Sequence, residues 1–363
     1  MSKWIKCTLA ELGEIIGGGT PSTKNEKYYG GDIAWITPKD LSNFQGRYIN
    51  RGERNITAEG LKNSSARLMP QHSILFTSRA PIGYVAIADN ELCTNQGFKS
   101  IVPNDNTDYL FLYYLLVHNY KQIENMGSGT TFKEVSGSVM KQIEVFVPSS
   151  KAEQSAIAKI LGAIDNKIEN NTKINHILEQ MAKAMFDETF LASNVTEVGS
   201  VSLLIEFKNG KTRPNETGII PVYGGNGILS YTSRNNAENV IIIGRVGAYC
   251  GNIYLEPEYC WVSDNAIYAK SKLTHKEYFD YFLLQGLALD TRRIGTTQPL
   301  LTQGILNALE VPVPTTKSIE LFNEEVTPLF QRIQLNLREN ARLGELRDSL
   351  LPRLMSGELS VFV

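Results

Sequence analysis

The chain has little cysteine. Its four residues (Cys7, Cys93, Cys250, Cys260) form no CxxC pair and keep no regular spacing among 363 residues. That pattern excludes a zinc ribbon and a disulfide framework, and it fits a reducing, cytoplasmic setting. Long apolar runs are also missing. The longest, Val240–Ile243 and the aromatic-rich Tyr109–Val117, fall well short of the ~20 residues needed to cross a bilayer. The opening MSKWIKCTLAELGEII has no signal-peptide core, so no membrane partner is expected. Charge of one sign is not in excess. The net charge is −2, so no global basic field announces nucleic acid, although one face could still be basic.

Catalytic patterns are missing as well. The four histidines (His72, His118, His176, His275) are scattered, and no HExxH occurs. Gly210-Lys211-Thr212 ends like a phosphate loop, but Ile205 stands where the pattern needs glycine. Gly17-Gly18-Gly19-Thr20-Pro21 lacks the following Lys, and its Pro suits a turn between strands. No Pro-Pro occurs anywhere, which removes the Asn/Asp-Pro-Pro-aromatic signature of adenine methyltransferases. No metal or cofactor is expected on this chain, and an enzyme is the least favoured class.

What is present is a repeat. Ile74–Arg79 answers to Val240–Arg245 at an offset of 166. Gly129-Thr130-Thr131 answers to Gly295-Thr296-Thr297, and Glu144–Pro148 to Glu310–Pro314, at the same offset. A helical pattern then repeats at 169: Ile164/Ile333, Ile168/Leu337, Asn171/Asn340, Ile174/Leu343, Met181/Leu350 and Met185/Leu354. Solenoid periods are only ~20–50 residues, so this is a duplicated domain followed by a duplicated long helix. Pro21/Pro214 are 193 apart, so the first copy holds roughly 27 extra residues, mostly in Asn43–Met69.

Residues 1–150 read as short strands punctuated by Gly, Pro, Asn and Asp, with one helix at Tyr109–Glu124 and its counterpart at His275–Leu289. Residues 194–314 repeat this in shorter form. Segment 151–193 reads as one long helix, and 315–363 as a second long helix with a C-terminal segment; each helix runs roughly 38 residues, about 57 Å. The first starts at Ser150 with Glu153 in capping-box position. Its apolar seam runs Ile157, Leu161, Ile164, Ile168, Asn171, Ile174, Leu178, Met181, Met185. The second runs Val326, Phe330, Ile333, Leu337, Asn340, Leu343, Leu346/Arg347, Leu350, Leu354. Pro328 and Pro352 predict that its regular part is shorter, or kinked at its ends. If the helices pair antiparallel about a pseudo-two-fold axis, Asn171 and Asn340 meet at the centre and fix register. The fold class is therefore α+β: two β-rich domains with small helices, separated by two long antiparallel helices.

In order, the motifs are a Gly-rich turn ending in Thr-Pro (Gly17–Pro21), WITPKDL (Trp35–Leu41), a strand ending Ser-Arg before Gly (Phe76–Gly83), TNQGF (Thr94–Phe98), GTT (Gly129–Thr131), VPxxxxEQ (Val147–Gln154) and LRDSLLPRLMSGEL (Leu346–Leu359). Duplicated in this order, they resemble the specificity subunits of Type I restriction–modification systems. In the second half Ser263–Ala266 stands for Thr94–Gly97, and Tyr223–Asn226 replaces the WITPKD stretch. The resemblance implies two target-recognition domains, each reading one half of a split double-stranded DNA sequence. It implies helices that set the spacer and bind two modification subunits. Those subunits bring S-adenosylmethionine and methylate adenine, and restriction subunits join for cleavage.

Base edges and phosphates call for polar and cationic loop side chains. The candidate DNA contacts are Thr20, Lys24, Thr37, Lys39, Arg79, Asn95, Gln96, Thr130 and Thr131 in the first half. In the second they are Lys211, Arg213, Arg245, Thr296, Thr297 and Gln298. Arg79 and Arg245 are read as the repeat's matched cations. The rival reading is a protein-binding adapter with two β-rich domains on a coiled-coil spacer, which the near-neutral charge favours.

Overall fold

The computed structural model describes residues 3–79, 81–128, 133–191, 197–273, 276–295 and 299–361. They form two compact units, Met1–Asn171 with Arg338–Val363, and Thr172–Leu337. The division cuts both long helices near their middles. Each unit therefore holds one β-rich domain, the first half of the helix that follows it, and the second half of the other helix.

In the first unit a five-stranded sheet runs in the order Gly13–Gly17, Lys99–Pro103, Ile74–Ser78, Ile82–Ala88, Tyr48–Ile49. A two-stranded ribbon, Trp4–Thr8 with Glu144–Pro148, ties the start of the domain to the start of its long helix. Helix Tyr109–Asn125 is capped by Asp108, whose Oδ1 accepts from Phe111 N at 2.9 Å. Its buried face (Phe111, Leu112, Leu115, Leu116) packs on Ile74 and Phe76 of the sheet and on Ile157 and Leu161 of the first long helix. Leu354 and Met355, at the end of the second long helix, complete this core. Burial of each such side chain stabilises by about 1.5–3 kcal/mol.

The second unit repeats the plan. Its sheet runs Ile205–Asn209, Ala266–Ser271, Ala237–Gly244, Ile253–Val262, Ile220–Gly224, Gly227–Thr232. The ribbon Val198–Ser200 with Glu310–Pro312 takes the place of the first unit's ribbon. Helix Glu277–Gly286 begins two residues later than the sequence pattern predicts and stops at Gly286, before a separate turn, Leu289–Thr291. Its core is aromatic. Phe186 and Phe190, from the end of the first long helix, meet Phe279, Phe282 and Phe322 with ring centroids 4.8–5.8 Å apart.

Ladder register corrects the sequence alignment of the repeat. Ile74 pairs with Ile101, and Ile241 with Ala269. Ser78 N donates to Gly97 O, as Arg245 N does to Asn265 O. The two strands thus correspond at an offset of 167, not 166. Arg245 occupies the place of Ser78, and Arg79 corresponds to Val246. The shared Arg was a misleading anchor, because backbone pairing and not side-chain identity sets the register.

The first long helix is Lys151–Phe186 and the second Thr316–Met355. Pro328 and Pro352 both lie inside the second, which is the longer of the two and not the shorter one that the prolines predict. Ile319, Phe322, Val326 and Phe330 are buried on both sides of Pro328, so packing outweighs the lost backbone hydrogen bond. Within the first unit, Asp165 bonds Arg347 and Asn171 bonds Asn340. Numbers rise along one helix as they fall along the other, so the halves run antiparallel.

The apolar seam also needs correction. Beyond Asn171 the buried stripe passes through Ala182 and Phe186. Ile174 and Met181 face outward, as do Leu337 and Leu346 on the partner helix; Met181 and Leu337 are each 49% exposed. A strict heptad drifts around a 3.6-residue helix, and here the inward positions at the centre are polar: Asp165, Asn171 and Asn336 are all buried.

Candidate nucleic-acid interface

In the first unit three segments converge at one end of the sheet: the turns at Gly18–Thr20 and Thr94–Gly97 and the start of helix Pro38–Ser42. Gly18 passes so close to the turn after Thr94 that a Cβ there would lie 1.8 Å from Asn95 O. Gly19 N donates to Thr94 O at 2.9 Å, and Trp35 Nε1 donates to Gly19 O at 2.9 Å. The Thr20 hydroxyl then donates to the side-chain oxygen of Gln96. Asn95 Oδ1 accepts from Gly97 N at 2.8 Å, so this amide shapes its own turn. Thr37 caps the short helix Pro38–Ser42, and both its N–H and its hydroxyl donate to Asp40. Pro38 lies against Gly97, where a Cβ would meet its ring at 2.9 Å. Thr20, Thr37, Asn95 and Gln96 are thereby gathered into one patch. Lys39 stands on its rim, exposed, with Nζ 2.6 Å from Glu53 Oε2; that hydrogen bond raises its pKa. Lys24 is exposed in the Ser22–Asn25 turn, and no described contact ties it to the patch.

Arg79 is not a free cation. Its Nη1 lies 3.7 Å from Glu134 Oε2, and Lys99 Nζ lies 3.2 Å from Glu134 Oε1. Ser128 and Glu134, on either side of the Gly129-Thr130-Thr131 sequence, exchange two backbone hydrogen bonds, 3.0 and 2.9 Å. In the second unit Ile294 and Leu300 make the same double bond, at 2.9 Å each. Thr130, Thr131, Thr296, Thr297 and Gln298 lie outside the described residues.

The second unit rebuilds the same turns with different side chains. A Cβ on Gly210 would lie 1.9 Å from Ser263 O, so Gly210 does for this turn what Gly18 does for the first. Lys211 N donates to Val262 O at 2.9 Å, and Trp261 Nε1 donates to Lys211 O at 3.4 Å. Lys211 therefore takes the place of Gly19, an offset of 192 where the prolines suggested 193. Val222 and Tyr223 pair parallel with Trp261 and Val262, as Trp35 and Ile36 pair with Cys93 and Thr94. The TNQG turn thus corresponds to Val262–Asn265, one residue earlier than the sequence alignment puts it. Lys211 and Arg213 are exposed. Arg245 has its Nε buried without a partner, and no ion pair with it occurs among the described residues. Where Glu134 holds Arg79, the second unit has Leu300. The acid that neutralises the cation in the first copy is absent from the second.

On the long helices, Asn171 is fully buried. Its Nδ2 donates to Asn340 Oδ1 at 2.9 Å and to Glu339 Oε2 at 2.8 Å. Glu339 also pairs with Lys167 at 3.2 Å. In the second unit Asn336 Nδ2 donates to Asn175 Oδ1 at 2.7 Å. That second amide pair was missed in the sequence, because the heptad reading put Ile174 and Leu337 in the seam and left Asn175 and Asn336 outside it.

A family model described as the Type I restriction modification DNA specificity domain matches residues 1–180 and 195–342. The chain belongs to this family. It is 34% identical to the Type I restriction enzyme MjaIX specificity subunit of Methanocaldococcus jannaschii, over 99% of this chain and 94% of that one. It is 23% identical to the EcoprrI specificity subunit of Escherichia coli, over 92% and 89% of the two chains. Its fold matches the crystal structure of the Type I S subunit from M. genitalium with a TM-score of 0.62 and 21% identity, over 98% of this chain and 96% of that one. As a Type I specificity subunit it carries two recognition domains, and the two convergent turn clusters are their corresponding parts. No helix is long and apolar enough to cross a membrane among the described residues.

Proposed function

We propose that each recognition domain of this specificity subunit reads one half of a bipartite double-stranded DNA target through its turn cluster. The observation that carries this reading is the repeated backbone with exchanged side chains. One end of each sheet has the same close-approach glycine and the same turn register. The first cluster offers hydroxyls and amides (Thr20, Thr37, Asn95, Gln96), and the second offers cations (Lys211, Arg213, Arg245). Amides suit adenine edges, and guanidinium groups suit guanine or phosphate. One frame with two different readers suits a target whose halves differ.

The long helices serve as the platform for two modification subunits. Ile174, Ile177 and Met181 lie at i, i+3 and i+7 on one face of the first helix, and Leu335, Leu337 and Leu346 are exposed apolar residues on the second; a docked partner would bury them. The modification subunits supply S-adenosylmethionine and methylate adenine at N6. Restriction subunits join them for cleavage, and this chain itself does no chemistry. The complex works in the cytoplasm.

The test exchanges residues 1–150 for those of a relative with another target and maps methylation in cells that carry the modification subunits. Change in one half of the motif with the other half retained supports the reading. Change in both halves, or in neither, counts against it.

A further inference from the structure

The segment that makes the first recognition domain longer than the second sends one arginine away from the DNA-facing turns. Arg47 lies between helix Pro38–Ser42 and strand Tyr48–Ile49. Its backbone stays in the sheet, where its carbonyl accepts from Ile87 N at 2.7 Å. Its side chain, 5% exposed, runs to the first long helix. Nε donates to Glu169 Oε1 at 2.9 Å, Nη2 donates to Glu169 Oε2 at 3.2 Å and also to Asn166 Oδ1, and Nη1 donates to the Tyr114 hydroxyl at 3.3 Å. Tyr114 in turn donates to Asp165 Oδ2 at 2.5 Å, and Asp165 Oδ1 accepts from Arg347 of the second long helix at 3.0 Å. Gly162 leaves the room: a Cβ there would stand 3.0 Å from Leu110 and 3.6 Å from Arg47 Nη1. One buried chain of bonds thus joins the reading domain to both helices.

Among the described residues the second domain has no arginine-centred chain of this kind. Tyr281, at the place of Tyr114, donates to Glu179 Oε1 at 2.6 Å. Lys276 pairs with Glu320, and Tyr278 N donates to Asn323 Oδ1, which ties the domain to the second long helix; aromatic packing fills the rest. Buried ion pairs add little net stability over an apolar filling of the same shape. What a planar, multiply bonded guanidinium adds is fixed geometry.

We infer that Arg47 is a positioning residue: its bonds to Glu169, Asn166 and Tyr114 hold the first recognition domain at one angle on the helix pair and so enforce the spacing between the half-sites. This rests on the bipartite reading proposed above. One added base pair moves a half-site by about 3.4 Å and turns it by about 35°. A loosely mounted domain follows that displacement; a clamped one does not.

The test uses the assembled methyltransferase and duplexes that carry the motif found by methylation mapping, with its natural spacer and with spacers one base pair longer and shorter. The variant is Arg47→Met with Glu169→Leu, which removes both charges together and leaves neither stranded. On the natural spacer its methylation rate is expected to stay within about twofold of wild type. Its rejection of the altered spacers is expected to fall by about tenfold or more. Tyr114→Phe deletes only the hydroxyl that links Arg47 to Asp165, and a smaller fall in the same direction is expected. This milder variant carries the test if the first fails to fold. Unchanged spacer rejection, or a loss of rate shared equally by all three duplexes, overturns the inference and makes the network merely structural. A wild-type complex with no spacer preference overturns the bipartite reading itself.

Discussion

Replacing Asn171 by Leu separates the register role of the buried amide pair from its stability role. Asn171 donates to Asn340 at 2.9 Å and to Glu339 at 2.8 Å. A neutral hydrogen bond is worth about 1 kcal/mol net, and one to a charged group about 1.5–3 kcal/mol. The second value must be discounted. The Glu339 side chain is 44% exposed and keeps Lys167, so water and that ammonium replace much of the lost bond. Asn171→Leu alone therefore costs about 1–2 kcal/mol, chiefly through the lost bond to Asn340, whose Nδ2 keeps Ile168 O at 3.4 Å. Replacing Asn340 as well brings two leucines together. Their apolar contact at the buried Asn171 position, about 1.5–3 kcal/mol, offsets the roughly 2 kcal/mol of lost hydrogen bonds. The double variant should thus lie within about 1 kcal/mol of wild type. Urea unfolding followed by helical circular dichroism reads the cycle. The expected coupling is about 1 kcal/mol or more, with the double variant more stable than the sum of the singles. Strict additivity, with the double variant the least stable of the three, would refute the pairing.

Other expectations concern the two domains separately. Arg245→Met should weaken DNA binding and reduce the slope of log affinity against log salt by about 1, whereas Arg79→Met should reduce it by less, because Arg79 shares the Glu134 carboxylate with Lys99; equal reductions would show that the acid makes no difference. Gly18→Ala should abolish recognition of the first half-site with the second retained, because a Cβ cannot fit 1.8 Å from Asn95 O; half-site footprinting reads this. Burial raises the Asp280 carboxyl to about 7, and Glu277 adds to the shift. A raised folded-state pKa means that this group's stability contribution is full below its unfolded value of about 3.9 and is lost as pH rises through about 7. Asp280→Asn should accordingly flatten the pH dependence of unfolding between those limits and be the more stable protein at pH about 8; a variant less stable than wild type there would contradict it.

The duplication, the two long helices and the central Asn pair were legible in the sequence because each rests on periodic or repeated residue types. Register was not. The shared Arg of ILFTSR and VIIIGR drew the alignment one residue away from the backbone pairing, and only the ladder shows Arg245 at the place of Ser78. The heptad through Ile174 and Met181 failed for a related reason. There the apolar residues Ile174 and Met181 sit on the exposed face, while Asp165, Asn175 and Asn336 point inward, so spacing alone misplaced the seam. Arg47 was invisible. A lone arginine in a polar loop gives no sign of a partner about 120 residues away.

The most direct test maps N6-methyladenine across the genome of cells that carry this chain with its modification subunits. The expected result is a split motif, two unlike halves separated by a fixed number of unspecified bases, that disappears when this chain is deleted. A continuous motif, or a methylation pattern indifferent to the deletion, would contradict the assignment of one half-site to each recognition domain.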